Sequence, residues 1–273
     1  VVDYFFNTAV PVVPEDGGGG AGPVFTLFGP STIAVGAPGV PQEDVNVLGR
    51  VTDPAGVALL SYQLNGGAPI AMGMGPDNRR LQRLGDFNAA VPVASLSAGS
   101  NTVLLRAVDF AGNVTTTSVQ IDYTPAHTWP LPYSVDWTTV TDIRSVAQPV
   151  DGRWNVVGDT VRVAEPGYDR LLAIGDASWG THEVVVPVTI NAVDFAGIGP
   201  NSGPPGVGFL THWSGHSTMD NTQPHWGFVD RFGALAWYRY TDPLAGKFEL
   251  RGQDANIAAE NLSSRQLVVG TTY

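Results

Sequence analysis

From Val24 onward the sequence is cut into short apolar runs by turn-forming residues, and no stretch keeps the 3.6-residue period long enough to build a helix. Asp53-Pro54-Ala55-Gly56 and Asn65-Gly66-Gly67 read as hairpin-type turns, because glycine supplies the positive φ that such turns demand. Val103 to Val108 runs into Asp109-Phe110-Ala111-Gly112-Asn113 as a strand closing into a turn. Val119, Ile121 and Tyr123 then alternate with polar residues, the pattern of a half-buried strand. The punctuation predicts strands over 24–28, 45–51, 58–64, 88–94, 101–108 and 115–123. It predicts a second series over 153–157, 160–163, 170–174, 182–190, 206–213, 225–230, 234–240 and 247–251. The expected fold class is therefore all-β, with two β-sandwich domains in tandem.

Length agrees with two units, since 273 residues exceed the usual size of one domain. Residues 1–23 form an N-terminal arm and Gly-rich linker, 24–125 the first domain, 126–132 a Pro-rich linker and 133–273 the second domain. Val1-Val2-Asp3-Tyr4-Phe5-Phe6 is too apolar to leave in water, so the arm is expected to pack on another domain or subunit. Pro125, Pro130 and Pro132 stiffen the second linker and hold the domains apart, with Trp129 placed to anchor it.

Composition then removes whole classes of function. Hydrophobic residues at 43% against 14% charged exclude a disordered chain. A net charge of −11, with Lys247 the single lysine, leaves no basic stripe for phosphate backbones, so no nucleic acid is expected as a partner. No apolar stretch approaches the length of a membrane span, and membrane insertion is not expected. The absence of cysteine removes disulfides, thiolate chemistry and Cys-based zinc sites. No initiating Met and no signal-peptide pattern are present, so the sequence reads as a mature or trimmed segment.

Gly49 to Val57, Ser61 to Gly67 and Ala107 to Asn113 resemble the bacterial immunoglobulin-like or fibronectin type III-like modules of large exported proteins. An insertion departs from that module between Met72 and Asp86, where Arg79, Arg80 and Arg83 read as a solvated loop, the alternative being pairing with carboxylates across an interface. In the second half, Arg170 to Asp176, Trp179 to Val188, Gly206 to Leu210 and Gly233 to Tyr238 resemble the concanavalin A-like, laminin-G-like jelly rolls of lectins and adhesins. Such a jelly roll continues beyond a run like Gly270-Thr271-Thr272-Tyr273. The resemblance thus implies a second sandwich that is incomplete at its C-terminus, closed by another chain or cut from a longer one. An open sheet edge would invite pairing with other strands.

Chemistry is sparse. The paired acids of jelly-roll glycosidases have no counterpart, Glu183 standing alone on its run, and neither a Gly-x-Ser-x-Gly elbow nor a phosphate loop occurs. No catalytic residues are assigned, and enzymatic activity is not expected. The richest constellation is Thr211-His212-Trp213-Ser214-Gly215-His216 with Asp220, Asn221, Gln223, His225 and Trp226. Trp213 and Trp226 either stack on a sugar while His212, His216, Asp220, Asn221 and His225 bond its hydroxyls, or serve the core. His212, His216 and His225 also invite a transition-metal reading, though no known motif joins them. A structural calcium would draw on Asp176, Asp194, Asp220 and Asp230, with Asn221 nearby; no cofactor is otherwise required.

The expectation is a non-catalytic, secreted or cell-surface bacterial module for binding or adhesion, recognising a glycan or a protein partner through loops of the second sandwich. The alternatives are a structural subunit of an extracellular assembly, with copies of itself as partners through the arm and the open sandwich, and an accessory part of a larger carbohydrate-active enzyme.

Overall fold

The structure, a computed structural model, describes residues 20–195, 205–217, 222–228, 232–242, 245–252, 256–261 and 266–273. The apolar arm at 1–6 lies outside them, as do Asp220, Asn221 and Asp230. The protein is all-β, and no described helix is long and apolar enough to cross a membrane.

Eight strands build the first unit: β1 (Val24–Leu27), β2 (Thr32–Val35), β3 (Asp44–Thr52), β4 (Val57–Leu64), β5 (Ile70–Ala71), β6 (Asp86–Pro92), β7 (Gly99–Asp109) and β8 (Val114–Tyr123). They form a three-stranded sheet β1-β3-β6 and a five-stranded sheet β2-β8-β7-β4-β5. Val45, Val47, Val51, Phe87, Ala89 and Val91 of the first share one core with Leu60, Tyr62, Val103, Leu105, Val119 and Ile121 of the second. Burying each of these larger side chains stabilises the sandwich by roughly 1.5–3 kcal/mol. All six expected strands are present, and the Asn65-Gly66 turn has φ of 50° and 74°, the doubly positive geometry of a tight hairpin. Two short strands, β2 and β5, were not foreseen: four and two residues are too few to show a period.

β3 and β6 are buried on both faces. Their alternate residues Asp44, Asn46, Asp86 and Asn88 should face water, yet all four are buried. What covers them is the second half of the chain. The Pro-rich linker therefore does not hold the two halves apart. Trp129 in that linker is buried, edge-on to Tyr133 at 5.4 Å between ring centroids, and its carbonyl accepts from Trp179 Nε1 at 2.8 Å.

The second half holds β9 (Gln148–Pro149) paired with β12 (Leu172–Ala173), and a hairpin of β10 (Trp154–Val157) and β11 (Thr160–Val163). Its main feature is a four-stranded antiparallel sheet in sequence order: β13 (Gly206–Thr211), β14 (Ala234–Asp242), β15 (Ala245–Gly252) and β16 (Ile257–Asn261). The strand expected over 182–190 does not form. Val184, Val185 and Val186 are exposed, and only the end of the run pairs, Val188 and Ile190 sharing backbone hydrogen bonds with Gly270, Thr271 and Tyr273 around the Thr189–Thr272 bridge. Of the strand expected over 225–230, the described part makes one bridge, Ser217 to Gly227. β16 was not foreseen, since Ile257-Ala258-Ala259-Glu260-Asn261 carries little β-branched or aromatic signal.

Candidate functional site

The polar face of β3 and β6 is the densest side-chain network of the protein. Gln42 donates to Asn46 Oδ1 at 2.6 Å, and Asn46 donates to Asn88 Oδ1 at 2.9 Å. Asn88 in turn donates to the Val150 carbonyl at 2.9 Å and to Asp151 Oδ1 at 3.2 Å. Asp151 holds Arg80 Nε at 2.7 Å and His216 Nε2 at 3.0 Å, with all three side chains only 1% exposed. Arg80 also donates to the carbonyls of His225 and Val150. The arginines of this segment are thus divided, Arg80 buried and Arg79 and Arg83 exposed but each with a partner. Arg80 is buried in an ion pair, Arg83 pairs with Glu165 at 2.7 Å, and Arg79 lies 3.7 Å over the Trp226 ring. A guanidinium can enter a protein interior only where carboxylate and carbonyls replace its water.

Burial and the neighbouring Arg80 hold the His216 imidazole below its ordinary pKa, against the attraction of Asp151. Burial and the charge of Asp151 push the Asp169 carboxyl well up, with Arg80 and Arg170 opposing. His225 completes the seam. Its Nε2 accepts from Gln223 at 3.2 Å, so Nδ1 carries the proton and donates to Asp44 Oδ2 at 3.1 Å. The Gln223 amide also accepts from Ala90 N at 3.0 Å and donates to Ala90 O at 3.2 Å.

A histidine held by an aspartate could serve as a base. Here Nε2, the nitrogen that would meet a nucleophile, is taken by the carboxylate, and no solvent reaches the ring. The network is a joint between the two halves.

The residues singled out around 212–226 are thus divided by the structure. His216 and His225 belong to the joint. Trp213 is half-buried, its ring edge-on to His216 at 5.4 Å, and one face of Trp226 is covered by Arg79. Among the described residues of this group His212 alone is exposed, beside His182 rather than beside the other two histidines. Among the calcium candidates, Asp176 is engaged with backbone amides of Val40, Trp129 and Ser178, which hold its carboxyl low despite partial burial. Asp194 is exposed. Among the described residues no three His, Asp or Glu side chains gather as a metal centre. Glu183 is exposed.

The four-stranded sheet has two unlike faces. On one, Glu249 is fully enclosed by Lys247, Arg239, Arg251 and the Trp237 indole, its carboxylate accepting at 2.9 to 3.3 Å from each. Burial alone would push this acid up, but the surrounding donors bring it down from 4.5 to about 2. Gly206 makes room for Trp237, for a Cβ there would stand 2.9 Å from the indole Cε3. On the other face, Tyr238 and Tyr240 are buried with Ile190 and Leu267. Farther along, cross-strand pairing sets Phe209, Ala236, Leu250 and Ala259 in one row across all four strands. Every member of that row is exposed, Phe209 by 38% and Leu250 by 44%, and Phe248 beside it by 48%. At strand spacing the row is about 14 Å wide. It ends at β16, an edge strand exposed at all five residues, with Glu260 its single charge. Comparison with protein-family models and with curated proteins finds no match for this sequence.

Proposed function

We propose that the chain is a non-catalytic subunit of an extracellular bacterial assembly that associates with copies of itself through the four-stranded sheet. The observation that carries this reading is the exposed row Phe209-Ala236-Leu250-Ala259 leading to β16, which no further strand pairs among the described residues. Natural sheets protect such edges with prolines, bulges or several charges; β16 has no proline and one charge, its irregularity being a register shift at Ala258, and contiguous apolar surface in water marks a contact site. Pairing β16 with β16 of a second copy about a two-fold axis would continue the sheet antiparallel and set the two apolar rows side by side.

The polar joint supports a passive role for the remainder. It uses Arg80, Asp151, His216 and His225 to fix one half on the other, leaving none of them for substrate. Glycan recognition through Trp213 and Trp226 has less support, because Trp226 already stacks with Arg79 and Trp213 is half-buried against His216.

Sedimentation equilibrium of the full chain tests the proposal. Self-association at micromolar concentration, abolished by Leu250→Lys, is expected. A chain that stays monomeric at every concentration, or associates equally well with Leu250→Lys, would overturn it; glycan binding lost in Trp213→Ala would then restore the lectin reading.

A further inference from the structure

His182 and His212 come together from distant parts of the sequence, and neither belongs to the polar joint. Their ring centroids are 5.5 Å apart and their planes are inclined by 58°. His182 Nδ1 lies 2.8 Å from the Gly180 carbonyl. A carbonyl only accepts, so Nδ1 carries the proton, and Nε2 of the neutral ring is left with its lone pair. This is how a metal-binding imidazole is usually set: one nitrogen donates to a carbonyl, and the other is free to ligate. Trp179 packs edge-on to His182 at 5.4 Å and fixes the ring from its other side. His212 is held with φ of 49°, a left-handed conformation uncommon for a residue with a Cβ.

The separation matches a shared ion. With metal–nitrogen bonds of about 2.0–2.1 Å, an imidazole centroid lies about 3.2 Å from the metal. Two such rings at a tetrahedral or somewhat wider angle then stand about 5.2–5.6 Å apart. We infer that His182 and His212 form a surface site for a first-row transition-metal ion, zinc(II) by the tetrahedral angle that this separation fits, in which the chain supplies two imidazoles. Water or a donor from another molecule fills the other positions, since no third His, Asp or Glu joins them among the described residues. Neutral imidazole suits zinc and copper alike, and copper(II), which binds more tightly at a given nitrogen site, serves as the spectroscopic probe. The site is separate from the proposed self-association and does not depend on it.

Calorimetric titration of the full chain with copper(II) and zinc(II), with electron paramagnetic resonance of the copper form, tests the inference. One copper per chain with two nitrogen ligands is expected. His182→Ala and His212→Asn should each weaken binding by about tenfold or more, asparagine being chosen because it tolerates the left-handed backbone. His127→Ala, at an exposed histidine elsewhere, should leave affinity unchanged. Absence of binding, dependence on only one of the pair, or loss in His127→Ala would overturn the site.

Discussion

Asp151 accepts from Arg80 on one oxygen and from His216, 65 residues farther along, on the other, and each of the three side chains is only 1% exposed. One carboxylate thus ties the insertion of the first sandwich to the loop that precedes the last strands.

Removal of that carboxylate should leave the Arg80 guanidinium buried and unpaired. Asp151→Ala is expected to destabilise the fold by about 3–5 kcal/mol, the scale for breaking a buried pair at one end. Chemical denaturation of the two proteins measures it. Arg83→Ala, at an exposed pair with Glu165, should cost less than about 1 kcal/mol in the same assay.

The joint should also weaken in mild acid. His216 titrates below its unfolded value of 6.5, so the folded state resists protonation. Its contribution is fully present above pH 6.5 and is lost as pH falls toward the lower folded pKa. Asp169 works in the opposite sense: its pKa is raised, so its contribution is present below 3.8 and declines as pH rises through the folded value. Asp169 is common to both proteins, so the comparison isolates His216: from pH 7 downward the native chain should lose stability relative to His216→Gln, which carries no titrating ring.

Glu249 should govern a lower window. Its pKa drops from 4.5 to about 2, so the stability it confers is complete above 4.5 and disappears as pH falls to about 2. Glu249→Gln should be less stable at neutral pH and show a flatter acid dependence over that interval. Near-ultraviolet circular dichroism, sensitive to the Trp237 indole that donates to Glu249 at 3.0 Å, follows the loss directly.

The elements of the first sandwich were legible in the sequence because local rules set them. Asn65 and Gly66 dictate a turn, and Val103, Leu105 and Ala107 dictate an inward face. The joint was not legible. Asp44, Asn46 and Asn88 occupy the alternate positions that a strand normally gives to water, and nothing local announces that another part of the chain will cover them. Arg80 finds its partner 71 residues away, a distance at which spacing carries no signal. The same holds for His182 and His212: each was visible, but only tertiary folding sets one ring beside the other. The valines at 184–186 misled for the complementary reason, since composition favours a strand that no neighbouring edge completes.

Hydrogen exchange at β16 tests the proposed assembly most directly. In dilute solution the outward-facing amides of residues 257–260 should exchange freely, as expected of a strand at the edge of the described sheet. At concentrations where the chain self-associates, those same amides should slow by about tenfold or more, and Leu250→Lys should keep them fast. Unchanged exchange at β16 across the full concentration range, or protection that persists in Leu250→Lys, would contradict association through this edge.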